Sequence, residues 1–235
     1  MKSLDELIEV DEPVWPLVQQ DFANSTTALR VLPASPAGRS CLLQLQVSVR
    51  SPLGAMALHT EGLVLDGGWL RVYGGSGLAK VNEFPAEVDP AWQPPRGLIV
   101  GHDAVGGVFA LNGYDPAAVG RPGKQGQMIY FAPDTLEWEP MEIGGYGSWL
   151  QWLLSGALDE FYEGLRWRGW QAEAAALTPT QGIAVYPFLW SEEAHADLEA
   201  TTRSAVPMAE LLGLHTDFCA QLGLAAPGFL GSVTP

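Results

Sequence analysis

Between residues 69 and 138 the sequence contains five short apolar runs, each bounded by glycine, proline or asparagine. The runs occupy residues 69–73, 98–100, 108–111, 128–131 and 136–138. Short apolar runs bounded by turn-forming residues are typical of β-strands. The short spacing of the last four favours hairpins and antiparallel pairing over crossover helices. The sequence therefore predicts a twisted, mainly antiparallel sheet.

A further strand is predicted over residues 41–49. There Cys41 and four aliphatic residues alternate with glutamine and serine. Strict alternation indicates a strand with one buried and one wet face. On this reading Cys41 is a small core side chain and not a nucleophile. The proline-rich residues 85–95 predict a loop.

Helices are predicted on both sides of the sheet region in the chain. Ser3 and Glu6 form a capping-box pattern for a short N-terminal helix, and Pro13 is typical of the first residue of a second helix. The clearest amphipathic stripe covers residues 148–165, with Ser148 as its expected N-cap. A shorter helix is expected over residues 171–177.

The last helix is predicted from Pro207 to a stop at Gly223, with His215 on its apolar stripe, partly buried and hydrogen-bonded. Together these elements predict one α+β domain over residues 1–235. Its mainly antiparallel sheet is packed by N-terminal, central and C-terminal helices.

Charge and composition restrict the classes of partner. The chain has 27 acidic and 12 basic residues and a net charge of -15, although charged residues make up only 17% of it. Such a field repels phosphate backbones and attracts basic proteins, so we expect no nucleic-acid binding and, if there is a protein partner, a basic one. The acidic N-terminus, the two distant cysteines and the lack of a long apolar run predict a cytoplasmic protein without membrane insertion.

Two motifs suggest chemistry without completing it. The glycine-rich residues 74–77 offer backbone amides for an anion, but no Gly-Lys-Ser/Thr ending and no clear helix follow, so a flexible turn is predicted. His59, Asp66, His102 and Asp103 could form a metal or acid–base site. Their spacing matches no ligand set, so turn and surface roles are expected for both histidines, and neither metal nor cofactor is predicted.

Several segments resemble the bacterial family named domain of unknown function 2625. They are residues 51–60, 66–74, 107–113 and 161–162 and, most specifically, the Phe-Ala-Pro-Asp-Thr-Leu-Glu-Trp run at 131–138. The resemblance covers nearly the whole chain but supplies no mechanism. The order of a Gly-Trp turn, paired strands and an amphipathic helix is also similar to the SUKH (Smi1/Knr4-like) superfamily. That similarity implies an α+β binding scaffold, many members being immunity proteins that block toxins.

Three functions stay open at this point. The favoured one is a non-enzymatic protein-binding scaffold, including an immunity-type inhibitor; the others are a metal-dependent or hydrolytic enzyme and a small-ligand binder using residues 74–77 with Trp69 or Tyr73. The candidate binding residues combine family-like motifs with groups that recognise partners: they are Trp69, Arg71, Tyr73, Asp103, Asn112, Asp134 and Trp138. The alternative is that some only fix turns, a hairpin at Asn112-Gly113 and a β-turn at Pro133-Asp134.

Overall fold

A computed structural model describes residues 1–89, 91–92 and 97–234 of the chain. The helices in these residues are α1 (Leu4–Ile8), α2 (Trp15–Ala23), α3 (Ala37–Leu45), α4 (Pro52–His59), α5 (Gly75–Val81), α6 (Tyr146–Leu154), α7 (Leu158–Phe161), α8 (Trp170–Ala175), α9 (Glu192–Ala196) and α10 (Met208–Leu222). The strands are β1 (Leu29–Pro33), β2 (Thr60–Leu65), β3 (Leu70–Tyr73), β4 (Gly97–Asp103), β5 (Val108–Asn112), β6 (Met128–Ala132), β7 (Glu137–Pro140), β8 (Gln181–Tyr186) and β9 (Thr202–Pro207).

Strands β1 to β7 form one sheet in chain order, and every neighbouring pair is antiparallel. Strands β8 and β9 pair separately. The predicted α+β class and antiparallel sheet are therefore confirmed, as are the five strands expected between residues 69 and 138. The sequence patterns did not reveal β1, β2, β8 or β9.

The strand predicted over residues 41–49 is wrong, because this segment lies largely in helix α3. Cys41 and Leu42, which alternation would place on opposite faces, are both buried. Gly38 brings α3 against α4 so closely that a Cβ there would lie 2.6 Å from the Ala57 carbonyl oxygen. Gln46 then ends the helix in a left-handed conformation with φ of 56°. Cys41 is buried as expected, but in a helix-packing contact.

The other helix predictions hold with changed boundaries. The capping box of Ser3 and Glu6 on α1 is confirmed. Pro13 is not the first residue of α2, which begins at Trp15. The central stripe is divided into α6 and α7, because Gly156 adopts a φ of 84°, and α6 is capped by Gly145 instead of Ser148. Helix α10 ends at Gly223 as predicted.

The two faces of the sheet are covered by different elements. Side chains of the inner face pack with α4, α6 and the buried Trp69, Trp149 and Trp167 in the larger core. On the outer face, a second core joins β4, β5 and β6 to α10 and Leu230.

Residues 224–234 cross this outer face as a C-terminal strap. Trp138 Nε1 donates to the Pro227 carbonyl at 2.8 Å, and Arg121 Nη2 donates to the Phe229 carbonyl at 2.9 Å. The Leu230 carbonyl lies 2.7 Å from His102 Nε2. The strap therefore covers the outer face of the sheet between β7 and β4. The outer face of β1, β2 and β3 is left open and forms the floor of a cleft.

His215 on α10 is buried, at 2% exposure, against Phe131 and Trp190. Its Nδ1 has no hydrogen-bond partner among the described residues, contrary to the hydrogen-bonded role expected for His215. Burial lowers the pKa of His215 to about 4. A histidine in an unfolded chain has a pKa of about 6.5. At a pH between the folded and the unfolded pKa, the unfolded chain therefore binds a proton at His215 and the folded chain does not.

Acidification should therefore destabilise the fold through His215. Between about pH 7 and about pH 4.5 we expect this imidazole alone to lower the free energy of unfolding by roughly 2 kcal/mol, with no further loss below its folded pKa. Urea unfolding at a series of pH values measures the effect. His215→Leu should remove that part of the pH dependence, whereas the matched change His195→Leu at an exposed position should not. Parallel curves for the native chain and His215→Leu would contradict the assignment.

Candidate functional site

An open cleft of about 380 Å³ lies over the first three strands. Its volume falls in the range of pockets that take small molecules, about 300–1,000 Å³. The floor consists of side chains from alternate positions of the strands, which therefore point to one face. Arg30, Val64 and Arg71 lie in one cross-strand row, and Leu32 and Tyr73 lie beside it.

Two elements wall the cleft. On one side is α5, with Ser76, Gly77 and Lys80, and on the other are the end of α8 and the segment after it, with Ala175, Leu177 and Pro179 among the lining residues. The turn at Gly67 and Gly68 closes one end. Gly68 packs so tightly on α8 that a Cβ there would lie 2.7 Å from the Ala174 carbonyl oxygen.

The lining of the cleft is cationic in an otherwise acidic protein. Arg30, Arg71 and Lys80 are three of the 12 basic residues of the chain, and Glu61 is the acidic residue of the lining. Neither Arg30 nor Lys80 forms an ion pair within the described residues. Positive charge gathered in a concave site attracts anions more strongly than the same charge on a convex surface.

Arg71 ties the floor to the wall. Its Nη1 donates to the carbonyl oxygens of Pro179 at 2.9 Å and Gln181 at 3.0 Å. Burial lowers the pKa of the Arg71 guanidinium, the nearby Tyr73 opposes this, and the positive charge of Arg30 lowers it further. The two arginines therefore repel one another across the floor, and an anion between them would relieve that repulsion.

Glu61 occupies the amides of the glycine-rich loop. Its carboxylate accepts hydrogen bonds from the backbone N–H of Ser76 at 2.9 Å and of Gly77 at 3.3 Å, and from the hydroxyls of Ser35 and Ser76. The expectation of a flexible turn without a following helix is wrong, since this loop opens α5. Because Glu61 already caps the helix, these two amides are not free for a phosphate.

The half-buried Tyr73 and the buried His102 form a hydrogen-bonded pair at the edge of the cleft. Their Oη and Nδ1 atoms are 2.9 Å apart, and His102 Nε2 lies 2.7 Å from the Leu230 carbonyl. A carbonyl only accepts, so Nε2 holds the proton and Nδ1 accepts from the Tyr73 hydroxyl. Burial lowers the pKa of His102 to about 4 and raises that of Tyr73. The expected surface role of His102 is wrong, because β4 is buried.

Of the seven residues chosen from the sequence, three are buried away from the cleft. Trp69 packs edge-on against Tyr162, Trp167 and Trp170. The Asp103 carboxylate accepts from the Tyr130 hydroxyl at 2.6 Å and from the amides of Val105 and Gly107. Asn112 Nδ2 donates to the Pro122 carbonyl at 2.7 Å. A two-residue hairpin at Asn112-Gly113 is wrong, because residues 113–127 separate β5 from β6.

The remaining four divide into two pairs. Arg71 and Tyr73 line the cleft. Asp134 and Trp138 lie near the opposite edge of the sheet, where Pro133-Asp134 begins the predicted turn, and Trp138 stacks with Arg121 at 4.7 Å and holds the strap. A binding role for all seven stays a prediction, but they do not converge on one site.

The residues of the enzymatic hypothesis do not meet either. His59 stacks on Trp15 with ring centroids 4.7 Å apart, and Asp66 pairs with Arg166 at 2.5 Å. His102 and Asp103 have the separate partners given above. No group of three or more histidine, cysteine or acidic side chains in the described ranges is arranged to hold a metal ion.

Sequence patterns missed Arg30, Val64 and Lys80. For Arg30 and Lys80 the signal in the sequence was the scarcity of basic residues. Arg30 lies in a short alternating run, Leu29 to Leu32, that ends at a proline. The convergence depends on strand register and on α5, neither of which follows from the local sequence.

The fold and cleft define an α+β protein with a seven-stranded antiparallel sheet and a cation-lined cleft over its first three strands. The chain belongs to the family described as "Protein of unknown function DUF2625", whose profile matches residues 4–211. The family expected from the motifs is therefore confirmed, whereas the likeness to the SUKH superfamily stays a prediction.

Two bacterial relatives extend over most of the chain. The uncharacterized protein YbfG of Escherichia coli K12 is 37% identical over 214 residues, covering 90% of this chain and 94% of its own. An uncharacterized protein of Haemophilus influenzae Rd is 30% identical over 198 residues, covering 80% and 83%. No solved structure matches. Among the described residues, no helix is long and apolar enough to cross a bilayer.

Proposed function

We propose that this protein binds a small molecule in the cleft and that the ligand has an anionic group and an apolar part. The observation that supports this is the gathering of Arg30, Arg71 and Lys80 around one concave site in a chain with a net charge of -15. Cations held close together without ion-pair partners raise the energy of the empty site, and an anion lowers it.

The rest of the lining specifies the apolar part. Leu32, Val64, Leu177 and Pro179 offer aliphatic contacts, and the ring of Tyr73 adds an aromatic one. Binding sites for small molecules combine such apolar walls with a few charged or polar groups that orient the ligand. The Tyr73 hydroxyl already donates to His102, so Tyr73 contributes its ring and not a free donor.

The protein-binding scaffold, including the immunity-type inhibitor, has less support. Its supporting observation is the net charge of -15, which favours encounter with a basic partner. However, Trp69, Asp103 and Asn112 are at most 3% exposed, so these three can act on a partner only indirectly. The ligand-binding proposal instead uses side chains that reach an open surface.

Removal of the two unpaired cations should weaken binding of an anionic probe. With 1-anilinonaphthalene-8-sulfonate, a sulfonate on apolar rings, we expect fluorescence titration to give a Kd about tenfold or more higher for the double variant Arg30→Gln/Lys80→Gln, since each charge-assisted contact contributes roughly 1 kcal/mol. Because neither side chain forms an ion pair in the described structure, the fold should be unaffected. Thermal unfolding checks this.

Two further variants complete the test. Lys124→Gln removes one positive charge from the exposed loop before β6 and should leave the Kd nearly unchanged. Ala175→Trp places a large ring on an exposed lining position and should abolish probe binding without disturbing the core. Equal probe binding by the native chain, the double variant and Ala175→Trp would refute the cleft as the site.

A further inference from the structure

A second cavity, of about 340 Å³, lies on the other side of α5. It is bounded by α3, α5 and residues 84–88. Its lining is mainly apolar: Ala37, Ala79, Phe84, Pro85, Ala86 and Val88, with Ser40, Cys41, Gln44, Ser76 and Lys80. The proposed function places no part of the ligand in this space.

The two cavities meet along one ridge of α5. Ser76 and Lys80 line both of them, and residues four apart lie above one another on the same helix face. Lys80 is exposed and Ser76 is half-buried. The Ser76 hydroxyl donates a hydrogen bond to the Glu61 carboxylate, so it is already engaged within the protein. A molecule that crosses this ridge would contact both cavities.

Gln44 and Cys41 in the lining of the second cavity offer a ligand no free polar group. The Gln44 side-chain amide donates to the Asp89 carbonyl at 3.1 Å, and its oxygen accepts from the Asp89 N–H at 2.9 Å. Burial, and then the charge of Glu61, raise the pKa of the Cys41 thiol to about 12, so this thiol is not a nucleophile at neutral pH. What the cavity offers a ligand is mainly apolar contact, beside Lys80 and the Ser40 hydroxyl.

We propose that the ligand is a free amphipathic anion, with its charged group at Arg30, Arg71 and Lys80 and its hydrocarbon chain across the Ser76–Lys80 ridge in the second cavity. This rests on the proposed function and names its ligand class. The first cleft supplies the cations and the apolar contacts beside the charged group, and the second cavity supplies further apolar surface for the rest of the hydrocarbon chain. A chain with a net charge of -15 is repelled by anionic bilayers, so the ligand arrives as a dissolved molecule and not within a membrane.

The test is a series of straight-chain carboxylates with a constant head group: butanoate, hexanoate, octanoate and decanoate, below their micellar concentrations. Isothermal titration calorimetry should show that Kd falls about threefold to fourfold for each added methylene, the change expected when a CH₂ group leaves water for an apolar site. Arg30→Gln/Lys80→Gln should raise Kd for every member by a similar factor.

Blocking the second cavity separates the two proposals. Ala37→Trp, at an exposed lining position on α3, should flatten the dependence on chain length while butanoate binds as before. Ala86→Trp does the same from the opposite wall and replaces Ala37→Trp if that variant unfolds. Ala175→Trp in the first cleft should weaken every member of the series.

Each alternative result has a definite meaning. If the carboxylates bind with one Kd regardless of length, or if neither tryptophan in the second cavity changes the slope, the amphipathic ligand is wrong and the anion-binding cleft stands. If no carboxylate binds and the sulfonate probe ignores the charge variants, both proposals fall. Sedimentation of the protein with phosphatidylglycerol vesicles, together with no binding of free decanoate, would overturn the claim that the ligand is dissolved.

Discussion

Arg166→Ala should lower the free energy of unfolding by about 3–5 kcal/mol, the usual effect of removing one partner from a buried ion pair. The Arg166 side chain is only 6% exposed and contacts Asp66, itself 13% exposed, at 2.5 Å. Its guanidinium also lies 4.0 Å from the Trp170 ring centroid, 4.8 Å from that of Tyr162 and 5.1 Å from that of Trp69. Truncation leaves the Asp66 carboxylate without its main partner and opens a space among three rings. Denaturant unfolding gives the number.

Two controls identify the cause of that loss. Arg168→Ala removes the same charge from an exposed neighbour and should change stability by no more than about 0.5 kcal/mol. The double variant Asp66→Asn/Arg166→Met removes both charges and should lose less than the sum of its single changes, by roughly 1 kcal/mol or more. Additive losses would show that the rings, and not the ion pair, account for the effect.

Gly107→Ala should destabilise the protein by about 3 kcal/mol, the upper end of the range for overpacked cores. A Cβ at this position would lie 2.1 Å from both Asp103 Oδ2 and the Tyr130 hydroxyl oxygen. The methyl group must therefore separate two atoms that are 2.6 Å apart in a hydrogen bond. Burial already raises the pKa of the Asp103 carboxyl, and the bonds from Tyr130 and the Gly107 and Val105 amides counteract this. Losing the tyrosine contact adds to the steric effect.

Gly213→Ala provides the opposite case within the same protein. Gly213 lies inside α10, and a Cβ there meets nothing within 4 Å. Alanine in a helix interior is more favourable than glycine by about 0.5–1 kcal/mol, so this variant should be slightly more stable than the native chain. Thermal unfolding of both variants compares them directly. A Gly107→Ala protein as stable as Gly213→Ala would show that the buried network can rearrange without cost.

The strands that are flanked by turn-forming residues could be predicted from the sequence. Strands β3 to β7 each end near glycine, proline or asparagine, and this punctuation identified them. Strand β1 contains Arg30 and ends at Pro33, features that local rules assign to loops. It is an edge strand, where an exposed arginine and a terminal proline are tolerated because one side of the backbone needs no partner.

Helix α3 shows why a period-two pattern can mislead. Cys41 and Leu42 are consecutive and both buried, because α3 packs against α4 and α5 as well as α1, and contacts on several sides override the alternation. Short apolar segments fit a strand and a buried helix equally well. The decisive information, the close approach permitted by Gly38, is tertiary.

The site was predictable only in part, for a related reason. Arg71 and Tyr73 belong to a family-like motif and are two residues apart on one strand, so they share a face. The sequence was therefore enough to choose them as candidates. Arg30 reaches the same place through pairing in register with Val64, and Lys80 through the position of α5 after β3. Such convergence comes from topology, which single-residue signals do not encode.

The C-terminal strap fixes the orientation of a hydroxyl group at the edge of the cleft. The Leu230 carbonyl can only accept a hydrogen bond, so His102 carries its proton on Nε2. The unprotonated Nδ1 then accepts the hydrogen bond from the Tyr73 hydroxyl and fixes its orientation. The polarity of a group bordering the cleft is thus set from a segment that lines no part of it. Without that carbonyl the imidazole could exchange its tautomer, and Tyr73 would be released to offer its proton to a bound anion.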